Sequence, residues 1–254
     1  VTADVVSRLR AAGCVFAEEE AALLVASARG DLGALVARRV AGEPLEQVVG
    51  WAAFAGLRVA VAPGVFVPRR RSEFLVARAL PVLPAAATVV DVCCGTGAIG
   101  AAMLAARPDL VLHAADHDPA AVVCARGNLP GAAGVHLGDL LAALPPELAG
   151  HVDVVVASTP YVPSDAVAAM PAEAREHEPR AALDGGGDGL DVVRRLADQA
   201  PAWLRPGGWL LIECAEHQAE PAQAELVRAG FDASVTRDED RDATVVAGSL
   251  VHPL

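Results

Sequence analysis

The stretch VVVASTPYVP, residues 154–163, ends a run of β-branched residues on Ser158-Thr159-Pro160-Tyr161, and Tyr161 is the only tyrosine in the chain. Two hydroxyls, a carbonyl fixed by a following proline and one flat ring at a strand tip read in two ways: as a strand end capped by serine with a proline turn, or as acceptors and a wall for a ligand. For a nitrogen nucleophile, oxygens aimed at its N–H bonds would stabilise the positive charge that grows when the lone pair attacks. In such a transfer positioning carries much of the work. Ser158 has a single oxygen, whereas a carboxamide there would accept from an N–H and donate to a C=O with separate atoms. Amide, amine and aminopyrimidine acceptors therefore all stay open.

A second set of residues can hold a cofactor. In DVCCGTGAIG, residues 91–100, Gly95 and Gly97 lie between an apolar run and a helical one. Such a turn lets backbone approach a ligand closely at a helix start. Asp116 lies 25 residues beyond Asp91, at the end of the next apolar run. There a carboxylate can take both hydroxyls of a ribose. Asp139, in the GDL after a third run, offers another acid at the same rim. Acids at successive strand tips beside a glycine turn describe a nucleoside pocket, not a phosphate cradle. Cys93 occupies the first glycine position of a dinucleotide motif, which disfavours NAD. Cys93 and Cys94 read as the small residues a crowded turn needs, since adjacent cysteines bridge and chelate poorly. His117, next to Asp116, is a candidate to lie over a base, and His177, next to Glu178-Pro179, a candidate to face the acceptor. Arg69-Arg70-Arg71 is either a surface cation patch or a clamp for an acidic acceptor.

The elements that must position these residues follow from periodicity. Residues 1–41 read as two or three short helices, with apolar residues at helical spacing and acids at a helix start. Over 46–67 the pattern alternates between glycines and prolines, which predicts a hairpin. From Ser72 onward helices alternate with strands at 88–92, 110–116, 135–137, 152–157 and 208–215, with β-rich runs near 234–236 and 243–246. Strands that are continuously apolar and alternate with helices predict a mostly parallel sheet covered on both faces. The chain thus divides into a small helical domain (1–45), a β-hairpin linker (46–71) and an α/β cofactor-binding domain (72–254). DGGGDGLD, residues 184–191, follows no strand and carries three acids, so it reads as a substrate-side loop.

Composition narrows the partners. The net charge is −12 and every basic side chain is arginine. That balance argues against bulk nucleic-acid binding, which needs a basic face. No apolar run has the length of a membrane span, and the first residues lack a signal pattern, so a cytoplasmic location is expected. Five scattered cysteines suggest neither a disulfide framework nor a metal site.

Several segments together resemble the HemK/PrmC family of S-adenosylmethionine-dependent protein glutamine methyltransferases, over roughly residues 42–220. PLEQVVGWAAF is similar to the family's linker segment, VPRRRSEFLV to its IPRPETExLV, and DVCCGTGAIG to its glycine turn. EPRAALDGGGDGLDVVRR matches E-P-x-x-A-L-x-G-G-x-D-G-L-x-x-x-R and is the most specific of these. The CCG turn and the PRRR run are closer to a divergent branch of unassigned substrate. The resemblance implies a class I methyltransferase fold, Rossmann-like with a seven-stranded sheet, and S-adenosyl-L-methionine as cofactor. It places Cys93, Cys94, Gly95, Thr96 and Gly97 at the methionine end, with Asp91 also among the cofactor residues, Asp116 at the ribose, and Asp139 and Leu140 by the adenine. Phe66, Pro68 and Arg69 would lie at the mouth, and Ser158, Thr159, Pro160 and Tyr161 would form the catalytic corner. The implied acceptor is a glutamine amide of a protein. A small amine or amide metabolite, a nucleobase amine, or cofactor binding with weakened catalysis are the alternatives.

Four departures stand out. The family's [DN]-P-P-Y is STPY here, and the acid of PRPE is Arg71. The glycine of E-x-G-x-x-Q is Ala215, between Glu213 and Gln218. About 41 residues precede the linker, fewer than the family's usual helical bundle.

Overall fold

The computed structural model describes residues 2–251. The chain opens with helices α1 (Thr2–Ala11), α2 (Ala17–Ser27), α3 (Leu32–Val40) and α4 (Leu45–Val49). Val5, Leu9, Ala21, Leu24, Val36 and Val48 come from their apolar stripes and meet in a small core of their own. Asp31 caps α3 by accepting from the Ala34 N–H at 3.2 Å, which satisfies one of the orphan donors of a helix start.

The hairpin is shorter than its pattern suggests. Residues 45–49 are helical, and only β1 (Trp51–Phe54) and β2 (Leu57–Ala60) pair, antiparallel, with Trp51 opposite Ala60. Pro44 pre-sets the start of α4, and Val48 turns into the helical core with Gln47 buried beside it. Tertiary burial thus decides a five-residue segment whose periodicity is too short to do so.

A short helix, α5 (Glu73–Ala79), leads into the sheet. Its strands are β3 (Thr88–Val92), β4 (Val111–Asp116), β5 (Gly134–Leu137), β6 (Val152–Ser158), β7 (Leu204–Cys214), β8 (Phe231–Asp238) and β9 (Ala243–Leu250). They lie in the order β5-β4-β3-β6-β7-β9-β8, parallel except for β9, which runs antiparallel to both neighbours. The remaining helices are α6 (Ala98–Ala106), α7 (Pro119–Asn128), α8 (Ala172–His177), α9 (Asp191–Trp203) and α10 (Ala219–Arg228).

Successive strand residues bury on opposite faces. Val89, Leu112, Val154 and Val156 pack with Leu75 of α5, Met103 of α6 and Ala125 of α7. Val90, Val155, Leu210 and Ile212 pack with Val193 and Leu196 of α9 and Leu226 of α10. Two covered faces are why these strands read as unbroken apolar runs. The chain builds outward from β3 through β4 to β5, then crosses back to place β6 on the other side of β3. That reversal opens a crevice at the carboxyl ends of β3, β4 and β6, the place where open α/β sheets bind ligands.

The helical segment is fastened to the sheet domain by polar side chains. Arg39 of α3 binds Glu20 of α2 at 2.7 Å and Glu173 of α8 at 2.9 Å. Gln47 donates to the carbonyls of Val65 and His177 at 3.0 and 3.3 Å.

Candidate active site

One cavity of about 410 Å³ occupies the crevice; β4 and β6 present their last residues to it, and the turn after β3 presents Cys93 and Gly95. One end of the cavity is built by the turn after β3. The Cys94 N–H donates to the Ala115 carbonyl at 3.1 Å, and the Gly97 N–H to the Cys94 carbonyl at 2.7 Å. Gly97 sits at φ +77°, and a Cβ there would come within 2.8 Å of the Leu129 side chain, so both conformation and space require glycine. Cys93 adopts φ +56°, a left-handed conformation that costs a non-glycine residue about 1 kcal/mol. Burial and the neighbouring acids push the thiols of Cys93 and Cys94 up, so both stay neutral; Cys93 serves as wall, not nucleophile, and Cys94 as packing behind it.

Asp116 lines the cavity and is held from behind. Its Oδ2 accepts from the Gly95 N–H and its Oδ1 from the Asp118 N–H, both at 2.9 Å. Carboxylate oxygens have further lone pairs, which leaves acceptor capacity facing the crevice. Asp91 lies behind the turn, fully buried, with Oδ2 accepting from the Gly100 N–H at 2.9 Å and Oδ1 without a partner. Burial drives its carboxyl up to about 7, against the Gly100 N–H and with help from Asp116. His117 is exposed at the rim, its Nδ1 3.5 Å from Asp116 Oδ1. Asp139 pairs with Arg195 of α9, and both line the cavity with Leu140.

The other end is the corner after β6. Ser158 is the last paired residue of that strand and lies opposite Glu213 of β7. Thr159 is buried with its Oγ1 unpartnered. Tyr161 presents its ring to the cavity with the Arg71 guanidinium 5.4 Å from the centroid. Burial pushes its phenol up to about 12 despite Arg71, so it is neutral at physiological pH. The backbone here is clamped. Gln218 Nε2 donates to the carbonyls of Tyr161 and Asp188 at 2.8 and 2.9 Å. Val162 and Asp184 form a bridge, with Val162 N–H on Leu183 O at 3.0 Å. The 184–191 loop fits against this corner so closely that a Cβ on Gly189 would lie 2.2 Å from Tyr161 O.

The third wall comes from the linker. Arg69 lies over the Phe66 ring at 4.7 Å and binds Glu178 at 2.5 Å, while Glu178 also accepts from the Val67 N–H at 3.0 Å. Glu178 is buried, and burial raises its pKa against the pull of Arg69.

Of the residues expected at the site, Phe66, Arg69, Cys93, Gly95, Asp116, His117, Asp139, Leu140, Ser158, Thr159, Pro160 and Tyr161 line this cavity. Asp91, Cys94, Thr96 and Gly97 stand behind the turn and shape it. His177, expected to face the acceptor, does not line the cavity. Its carbonyl accepts from Gln47, and its Nε2 is 3.9 Å from where Gly42 would carry a Cβ. At the end of α8 it faces the helical segment, while its neighbour Glu178 faces the linker. Glu213, Gln218 and Arg195 were not assigned from sequence. An acid inside the apolar run GWLLIECA is the one signal that could have marked Glu213, since a buried carboxylate requires a partner.

A mostly parallel seven-stranded sheet reversing at β3, with a glycine turn, an acid at the next strand tip and a polar corner across one cavity, has the fold of a class I methyltransferase. The family model described as "Methyltransferase small domain" matches residues 56–188. The release factor glutamine methyltransferase of Geobacter sulfurreducens is 38% identical over 220 residues, covering 85% of this chain and 76% of that protein. The protein of the same description from Mycolicibacterium smegmatis is 41% identical over 202 residues, covering 77% and 68%. Among solved structures, a methyltransferase from Pyrococcus furiosus shares the fold with a TM-score of 0.58 at 14% identity, over 78% of this chain and 90% of that one. The chain belongs to the HemK/PrmC family, that of the release factor glutamine methyltransferases, and it is a methyltransferase.

Proposed function

We propose that this protein methylates the side-chain amide nitrogen of a glutamine in a protein, with S-adenosyl-L-methionine as donor and a release factor as substrate. The observation that carries this reading is the single cavity joining Asp116 at one end to Ser158–Tyr161 at the other. A nucleoside site and a nitrogen-holding corner would share one cavity, as transfer between them requires.

The residues present fit the cofactor. Asp116 has acceptor capacity for a ribose diol, Leu140 and Phe66 offer apolar surface for a base, and the turn 93–97 supplies close backbone beside the unpartnered Asp91 Oδ1. When bound, S-adenosylmethionine supplies an electrophilic methyl group on a sulfonium. The chain's own part is to aim a lone pair at it. Ser158 Oγ and the Thr159 carbonyl, fixed by Pro160, accept from the amide N–H bonds and turn the nitrogen out of conjugation. Tyr161 holds the flat face of the amide, and the proton that nitrogen loses leaves to solvent.

The release factor comes from what the relatives are named for. The test is to incubate the protein with methyl-labelled cofactor and a purified release factor, then sequence the tryptic peptides by mass spectrometry. A methylated glutamine is expected. Calorimetric binding of cofactor with no label in any glutamine would overturn the acceptor assignment and leave the cofactor assignment intact.

A further inference from the structure

Behind the acceptor corner, among the described residues, three polar atoms are buried without a hydrogen bond: Arg71 Nε, Glu213 Oε2 and Thr159 Oγ1. Glu213 is 2% exposed. A carboxylate so deep persists only beside compensating groups. Its companions are Arg71, with Nε 3.4 Å from Oε1, and Ser158, its partner in register on β6. Burial raises its pKa, while the hydroxyls of Ser72 and Ser158 and the Arg71 guanidinium work in the opposite direction.

Arg71 is about one-third exposed at its side chain and lines the cavity. Glu213 holds it on one side and the Tyr161 ring on another. The remaining N–H donors of the guanidinium are left for the space it lines. Ser158 is complementary. A hydroxyl has one proton, and the strong acceptor beside it is the Glu213 carboxylate. With the proton turned there, the Oγ lone pairs are left for the cavity.

We propose that Arg71 and Ser158, set by Glu213, form a two-residue receptor for the acceptor's amide: Arg71 donates to its carbonyl oxygen and Ser158 Oγ accepts from its N–H. The proposal rests on the glutamine reading above and names how this chain recognises that group. Two side chains divide the donor and acceptor roles that a single carboxamide at position 158 would combine. The receptor also selects. An amine offers no carbonyl to the guanidinium, and a protonated amine is repelled by it. Glu213 is a positioning residue, because it acts through the other two.

The donor contact is made by the bound acceptor before any charge develops, so its loss falls on KM more than on kcat. With a glutamine-bearing release-factor peptide and labelled cofactor, Arg71→Met should raise KM about tenfold and change kcat less than about threefold, the scale of one charged hydrogen bond. Cofactor affinity by calorimetry should be unchanged. In a Ser158→Asn background the carboxamide brings its own donor, so adding Arg71→Met should cost less than about threefold. Equal losses in both backgrounds, or an unchanged KM, would overturn the receptor. Glu213→Gln should raise KM in the Ser158 protein; a lowered melting temperature with KM intact would reduce Glu213 to a structural part and refute its positioning role. If the unaltered protein binds cofactor yet methylates no glutamine, the functional reading fails and takes the receptor with it. If it methylates glutamine and Arg71→Met is silent, the receptor alone fails.

Discussion

Asp116 accepts one backbone N–H with each of its oxygens, which fixes the carboxylate plane before any ligand arrives. Replacing it with alanine removes the proposed ribose contact and also leaves the Gly95 N–H without its partner. Hydrogen bonds to a charged group contribute about 1.5–3 kcal/mol. Asp116→Ala should therefore weaken cofactor binding by tenfold or more in a calorimetric titration. Asp91 acts through pH. Its folded pKa of about 7 stands above the ordinary 3.8. The stability it contributes is thus fully present below the unfolded value and is lost as pH rises toward the folded one. The melting-temperature difference between Asp91→Asn and the unaltered protein, without cofactor, should shift in favour of the variant from about pH 4 to about pH 7 and then level off. A difference that stays flat across that window would refute the assignment. Residues such as Asp116 and Ser158 were legible in the sequence because a polar group that closes an apolar run adds nothing to the core and so points to a ligand. Glu213 and Gln218 were not, because their meaning depends on which strand lies next to β7, and sequence does not order the strands. The place of His177 was not legible, because it depends on its neighbour: Glu178 reaches the linker arginine, and the His177 ring lies toward Gly42.

At the scale of elements, the corner after β6 depends on the loop that backs it. A methyl group on Gly189 meets Tyr161 O at 2.2 Å and Gln218 Nε2 at 2.3 Å, and the backbone is at φ +80°. Gly187, two residues earlier, has open space around it. Gly189→Ala should lower the melting temperature and cut turnover by an order of magnitude or more, while Gly187→Ala should leave both nearly unchanged. Equal behaviour of the two variants would show that the loop does not shape the corner. Parallel strands were readable because both their faces are apolar. The α4 helix was not, since five residues of alternating character fit either period. Strands β8 and β9 also run longer than their apolar runs, because each is completed by antiparallel pairing with the other.

For the molecule as a whole, the helical segment and the sheet domain meet at α8. The Arg39 side chain is 11% exposed between Glu20 and Glu173. Arg39→Met would strand the buried Glu20 carboxylate and release α8 from one of its ties. The expected result is faster proteolysis between residues 165 and 180 and a higher KM for a protein acceptor, with cofactor affinity unchanged. Loss of cofactor binding in that variant would instead show a general unfolding. No helix among the described residues is long and apolar enough to cross a membrane.

The clamp that Gln218 places on two carbonyls has a geometric consequence. On its side the acceptor corner is backbone against backbone, with Gly185 and Gly189 leaving no room to yield. On the other side the cavity is lined by Met170 and Pro179, which flank a six-residue helix hung from Arg39 and Gln47 by side-chain bonds. One jamb of the corner is therefore set by main chain, and the facing one hangs on a few side chains.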